Sequence, residues 1–203
     1  MAAAGSGSGS APAAELAVTQ AEIDEAKGFL RQARDEIAAA TEGLSETQWN
    51  FKPAPERWSI AQIVEHVAMT HSVILGPVRQ NLAAAPAPPG DRDHKRVDSI
   101  IVNGFPDRSA RFKGPDALQP TGRWTPAASL EALSEGTAGL IAYLEGTPDL
   151  RQHAVEALPI KAISNGEYTS MDGYQWILAA AGHAARHFRQ ILEVKADPTF
   201  PAR

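Results

Sequence analysis

The chain has 203 residues, enough for one domain with a sizeable core, and its hydrophobic (43%) and charged (21%) fractions are those of an ordinary globular protein. A formal net charge of −5 offers no basic footprint for nucleic acid, and no apolar run approaches the roughly 18 residues of a membrane span, so neither is an expected partner. Cysteine is absent; this removes disulfides, thiolate metal sites and a cysteine nucleophile, and leaves histidine and carboxylate as metal ligands.

At the N-terminus, "MAAAGSGSGSAPAA" has neither the basic nor the leucine-rich region of a signal peptide. Its Gly-Ser alternation is that of a flexible linker or tag remnant, so residues 1–14 are set apart from a domain of residues 15–203. With no export signal the expected compartment is the cytoplasm, unless the native N-terminus has been replaced. A first helix is predicted over residues 15–42, where Leu16, Ile23, Leu30, Ala33 and Ile37 recur at helical spacing and Gly43 is a plausible stop.

The second predicted helix opens at Ser59, with Gln62 completing a capping box. It continues through Ile60, Ile63, Val64, Val67, His71, Ile74 and Val78, with a kink expected at Pro77 and a firm end at "AAAPAPPGDRD". Residues 90–126 show no sustained period, and so long a stretch is either functional or conceals short elements. We read it as a long crossover covering part of the protein. A third helix is predicted over residues 126–145 on Leu130, Leu133, Leu140, Ile141 and Leu144. After a second irregular connection, a fourth begins near Asp172, a good cap, and ends about Ala196. No strand alternation extends beyond a few residues. The expected fold is all-α: a four-helix bundle with a long crossover between helices two and three.

The fourth helix carries "AAGHAARHFRQ", residues 180–190. At about 100° per residue, His183 and His187 lie one turn apart on nearly the same face. Their small neighbours leave room for a shared partner, whether a metal ion, an acidic side chain or the rest of a core. Two imidazoles are too few for a tight metal site, so a third ligand must come from another helix. His66 and His71 on the second helix are the candidates. Periodicity puts His71 near the centre of the apolar stripe and His66 toward its edge. Glu65 is also available, but points about 100° from His66 and is expected in solvent. His94 and His153 lie in irregular segments and read as surface residues, as does Arg186. Trp58 reads as an anchor for the second helix, and Trp176 as either core or pocket wall. Gln190 could orient His187, bond a metal-bound water, or simply lie on the helix surface.

"WSIAQIVEHV" from Trp58 resembles the second-helix signature of the DinB superfamily, the DinB/YfiT-like proteins. "DGYQWILAAAGHAARHFRQILEVKADPTFP" resembles that family's last helix, with its His-x-x-x-His pair and a glutamine three residues later; "DRSARF" and "PTGRW" are similar too. The resemblance covers roughly residues 16–201. It implies a triad of His66, His183 and His187 for a divalent metal such as zinc, nickel or iron, with His71, Trp176 and Gln190 around the pocket. It also implies a homodimer. Three neutral nitrogens would leave open coordination positions, as catalytic sites require. The resemblance further implies a metal-dependent enzyme: a thiol S-transferase using a low-molecular-weight thiol on a small-molecule substrate, or a hydrolase. The alternative is a non-catalytic metal-binding or stress-associated bundle.

Overall fold

A computed structural model describes residues 17–109 and 116–202. Four long helices form the frame: α1 (Gln20–Thr41), α3 (Ile60–Ala83), α5 (Pro126–Gly146) and α7 (Gly173–Lys195). A short α2 (Glu46–Asn50) lies between the first two, and α4 (His94–Gly104) lies in the crossover between α3 and α5. The last connection holds β1 (Ala154–Glu156), α6 (Leu158–Ile163) and β2 (Ser170–Asp172), the two strands pairing antiparallel with Val155 opposite Met171.

The helix starts follow local chemistry. Reciprocal capping boxes join Thr19 to Glu22, Ser59 to Gln62 and Asp172 to Gln175 at the starts of α1, α3 and α7. Thr125 caps α5, with Pro126 in the first turn, where its missing N–H costs nothing. The box at Thr19 explains why α1 starts at Gln20 rather than at residue 15. Leu16 and the N-terminal segment 1–14 lie outside the described residues. At the far end of α1, Gly43 takes φ +66°, a left-handed conformation open to glycine, and the chain turns there. The helical backbone of α3 continues past position 77 to Ala83.

Spatial order does not follow sequence order: α3 and α5 adjoin, but the consecutive long-helix pairs α1 and α3, and α5 and α7, face each other across the bundle. Each long helix has two main neighbours, giving the ring α1–α5–α3–α7, with α1 opposite α3 and α5 opposite α7. Helix α4 packs on α7 from outside this ring. One half of the core joins Ala26, Leu30, Leu140, Leu144 and Ile177 to Val97 and Ile101 of α4. The other joins Ala33, Ile37, Ile63, Val67, Leu133, Ala184 and Ile191.

The crossover does conceal a short element: α4 buries Val97 and Ile101 four residues apart behind an Asp93 cap. Eleven residues flanked by Gly- and Pro-rich stretches carry too short a pattern to count as a sustained period. One expectation is corrected: the last connection is not wholly irregular, but its three-residue strands are too short to display alternation.

Candidate metal centre

Helices α3 and α7 are neighbours in the ring, and this brings their histidines together. His66 Nε2 lies 3.1 Å from His183 Nε2, which lies 3.2 Å from His187 Nε2. All three candidate ligand atoms fall within 4.8 Å of one another. His66 and His187 are buried and His183 is half-buried.

The outer ring nitrogens reveal which way the inner ones face. His66 Nδ1–H donates to the Leu118 carbonyl at 2.7 Å, and His187 Nδ1–H donates to Gln190 Oε1 at 2.9 Å. Arg108 Nη1 also donates to that Gln190 oxygen at 3.4 Å, which fixes the orientation of the amide. With Nδ1 protonated, each Nε2 of His66 and His187 carries a lone pair aimed at His183. One N–H on His183 could satisfy only one of them, whereas a cation satisfies all three rings. Three imidazoles about 2.1 Å from a single ion would hold their nitrogens about 3.0–3.4 Å apart, so the observed spacing fits a metal.

The protonation states agree. Burial, followed by the proximity of His187, His66, His71 and Arg186, drives the His183 imidazolium well below the usual histidine range. Burial and His66 do the same to His187, against the opposing bond to Gln190. His66 is lowered by burial and partly restored by Leu118. All three are neutral near pH 7, the form that binds metal.

The remaining candidates divide. His71 is buried with both ring nitrogens engaged, Nδ1 with Thr137 Oγ1 at 3.2 Å and Nε2–H with the Ala180 carbonyl at 3.3 Å. It lies in the core beside the triad, not in it. Trp176 packs with the half of the core around α4. The aromatic wall is instead Trp58, with ring centroids 4.9 Å from His66 and 6.1 Å from His187, nearly parallel to the latter. Neither His94 nor His153 joins the cluster: His94 Nδ1 meets Asp172 at 3.0 Å and His153 Nδ1–H meets the Ala85 carbonyl.

Three sequence readings fail around the site. Glu65 is not in solvent but 1% exposed, with its carboxylate turned into the crossover. Arg186 is half-buried rather than a solvated charge. Gly182 does not make room for a ligand; a Cβ there would lie 2.7 Å from Phe105 Cβ, so its smallness admits α4. Sequence reasoning also missed the Leu118 carbonyl, which has no residue-type signal, and the link from Glu193 through Arg108 to Gln190. A basic residue in the crossover opposite an acid on α7 was the available clue to that link.

Comparison with known proteins follows this geometry. Residues 30–191 match the family model described as the DinB superfamily. The chain belongs to the DinB superfamily. The DinB match contains all three histidines. An uncharacterised protein, YuaE of Bacillus subtilis strain 168, is 23% identical over 171 residues, covering 82% of this chain and 95% of its own. Among solved structures, a DinB-like fold is seen in YfiT from Bacillus subtilis, described as a probable metal-dependent hydrolase with an unusual four-helix bundle topology. The TM-score is 0.52 at 13% identity, covering 88% of each chain, and the likeness is one of fold. No helix among the described residues is long and apolar enough to cross a membrane.

Proposed function

We propose that this protein is a metal-dependent enzyme that activates a small-molecule nucleophile at His66, His183 and His187. A low-molecular-weight thiol is the favoured cosubstrate, and zinc, nickel or iron(II) the metal. The observation that carries this reading is the convergence of three neutral Nε2 atoms without a carboxylate in the cluster among the described residues. A divalent ion held there would supply Lewis acidity, lowering the pKa of a thiol or water and polarising an electrophile. The protein's part is orientation: the Leu118 carbonyl and Gln190 aim two rings, and Trp58 walls them on one side.

Thiol chemistry is favoured over hydrolysis for a specific reason. Hydrolysis gains from a general base beside the nucleophile, and the nearest sequence candidate, Glu65, is committed to Thr121 and Gly122. A thiol, more acidic than water, loses its proton with less help. A second reading, a metal that only braces the bundle, has one observation in its favour: the triad ties α3 to α7.

Elemental analysis of protein purified without a histidine tag tests the site. About one equivalent of a transition metal is expected, lost in His66→Ala, His183→Ala and His187→Ala and kept in His71→Ala. The loaded protein should then consume a small thiol in the presence of an electrophile. Bound metal without turnover, together with a fall in Tm on chelation, would support the bracing role instead. Failure to bind zinc, nickel or iron(II) even on reconstitution would remove both readings.

A further inference from the structure

The least expected side chain near the triad is Glu65. It is 1% exposed, yet none of its bonds is to the histidines. Its Oε1 accepts from the Thr121 backbone N–H at 3.2 Å and the Thr121 hydroxyl at 2.9 Å, and its Oε2 accepts from the Gly122 N–H at 2.7 Å. A buried carboxylate is costly unless paired or hydrogen-bonded, and here three donors from one turn of the crossover provide that. Gly122 makes the turn possible at φ +70°. Three residues before Thr121, the same segment presents the Leu118 carbonyl to His66 Nδ1–H at 2.7 Å. Consecutive residues of α3 therefore grip one short stretch of the crossover, Glu65 by its amides and His66 by a carbonyl.

The geometry points to Glu65 as the positioning residue of His66: by clamping Thr121 and Gly122 it holds the Leu118 carbonyl against Nδ1, and so keeps the His66 Nε2 lone pair aimed into the triad. The Leu118 carbonyl ends a single 3-10 turn, Asp116–Leu118, closed by the bond from Gln119 N–H to the Asp116 carbonyl, and one turn alone does not set where that carbonyl sits on α3. A metal-binding histidine depends on such a partner for its tautomer and ring orientation. Loss of the clamp frees Leu118 to drift, and the proton of His66 to pass to Nε2, which cannot then ligate. The consequence for metal affinity rests on the proposed metal reading; the consequence for the tautomer does not.

Nitrogen-15 NMR of the full chain, without metal, reads the His66 tautomer directly, and a zinc titration reads the dissociation constant. Two variants are compared with wild type. Glu65→Gln keeps the side-chain shape but turns an amide NH2 onto one of the donors. Gly122→Ala strains the turn from the exposed side and leaves the core untouched. In wild type, His66 should be protonated at Nδ1 alone. In both variants it should become a tautomer mixture, with zinc binding weakened about tenfold or more and helix content unchanged. If Glu65→Gln does not fold, Gly122→Ala decides. Wild-type tautomer and wild-type zinc affinity in the variants would show that Glu65 merely staples the loop, leaving the metal centre intact. Wild-type protein that binds none of zinc, nickel and iron(II) would sink the metal reading, while the NMR comparison would still judge Glu65.

Discussion

At the scale of single residues, a histidine becomes a ligand or a core residue according to what occupies its second nitrogen. His66 and His71 are both buried on α3, but His71 spends both nitrogens on Thr137 and Ala180 while His66 spends one on Leu118 and keeps the other for the triad. Gln190 performs for His187 the service that Leu118 performs for His66. Gln190→Leu retains bulk but removes the acceptor for both His187 and Arg108. Zinc affinity should fall by about 10- to 100-fold with the helical spectrum unchanged. A titration showing equal affinity would return Gln190 to the helix surface.

At the scale of elements, the position of α4 on α7 is set by a missing side chain. Gly182 meets Phe105 at the C-terminal end of α4 and also Pro106, so an added methyl collides with a Cβ that has no freedom to swing away. Gly182→Ala gains about 1 kcal/mol of helix propensity but costs about 1–3 kcal/mol of overpacking. A net loss of stability is expected in urea unfolding. Native-state hydrogen exchange should place the loosening in α4 first, because that helix packs outside the ring and can yield without opening it. Uniform loosening would mean that α4 is integral to the four-helix frame.

At the scale of the whole molecule, one buried arginine ties together the chain's most distant parts. Arg151 donates to Glu22 of α1 at 2.7 Å, to Asp98 of α4 at 2.6 Å and to the Asp172 cap of α7 at 3.2 Å, with its guanidinium 4.3 Å from the Tyr174 ring. Burial opposes its charge, but the bond to Asp98 and the neighbouring carboxylates outweigh it and raise its pKa. Arg151→Met takes the shared cation from three acidic groups, leaving buried Asp98 with Gln175 Nε2 as its remaining bond, and should cost about 3–5 kcal/mol, measured by chemical denaturation.

Acid sensitivity is also a property of the whole chain. Burial holds His71 down at about 4 against the weaker pull of Ala180, so between pH 6.5 and 4 the unfolded chain takes up a proton that the folded one refuses. Stability must fall as pH drops through that window. Glu22 follows at lower pH: burial raises it, but bonds from Lys95, Thr19 and Arg151 prevail and hold it at about 2. Its contribution is present above 4.5 and lost as pH falls toward 2. Unfolding measured with a chelator from pH 7 to 3 should show both declines, and His71→Asn should reduce the slope of the first. An unchanged slope would contradict the low affinity of native His71 for a proton.

The sequence by itself determined the four long helices, three of their starts and the histidine pair, because each rests on neighbours within a turn or two. Ser59, Asp172 and Pro126 are visible punctuation, and the 3.6-residue stripes on Leu30, Ile37, Ile63, Leu133 and Leu140 are long enough to read. His66 was within reach only through the family resemblance, since the periodic pattern favoured His71. The rest was decided in three dimensions. That α3 adjoins α7 while α1 stands opposite α3 depends on how four apolar faces pack, and no local window contains that choice. The burial of Glu65 and the partner of His66 Nδ1 depend on donors and an acceptor more than fifty residues away, most of them backbone groups that carry no residue-type signal. Local periodicity specifies a helix; the pairing of its polar groups is specified by the chain that folds across it.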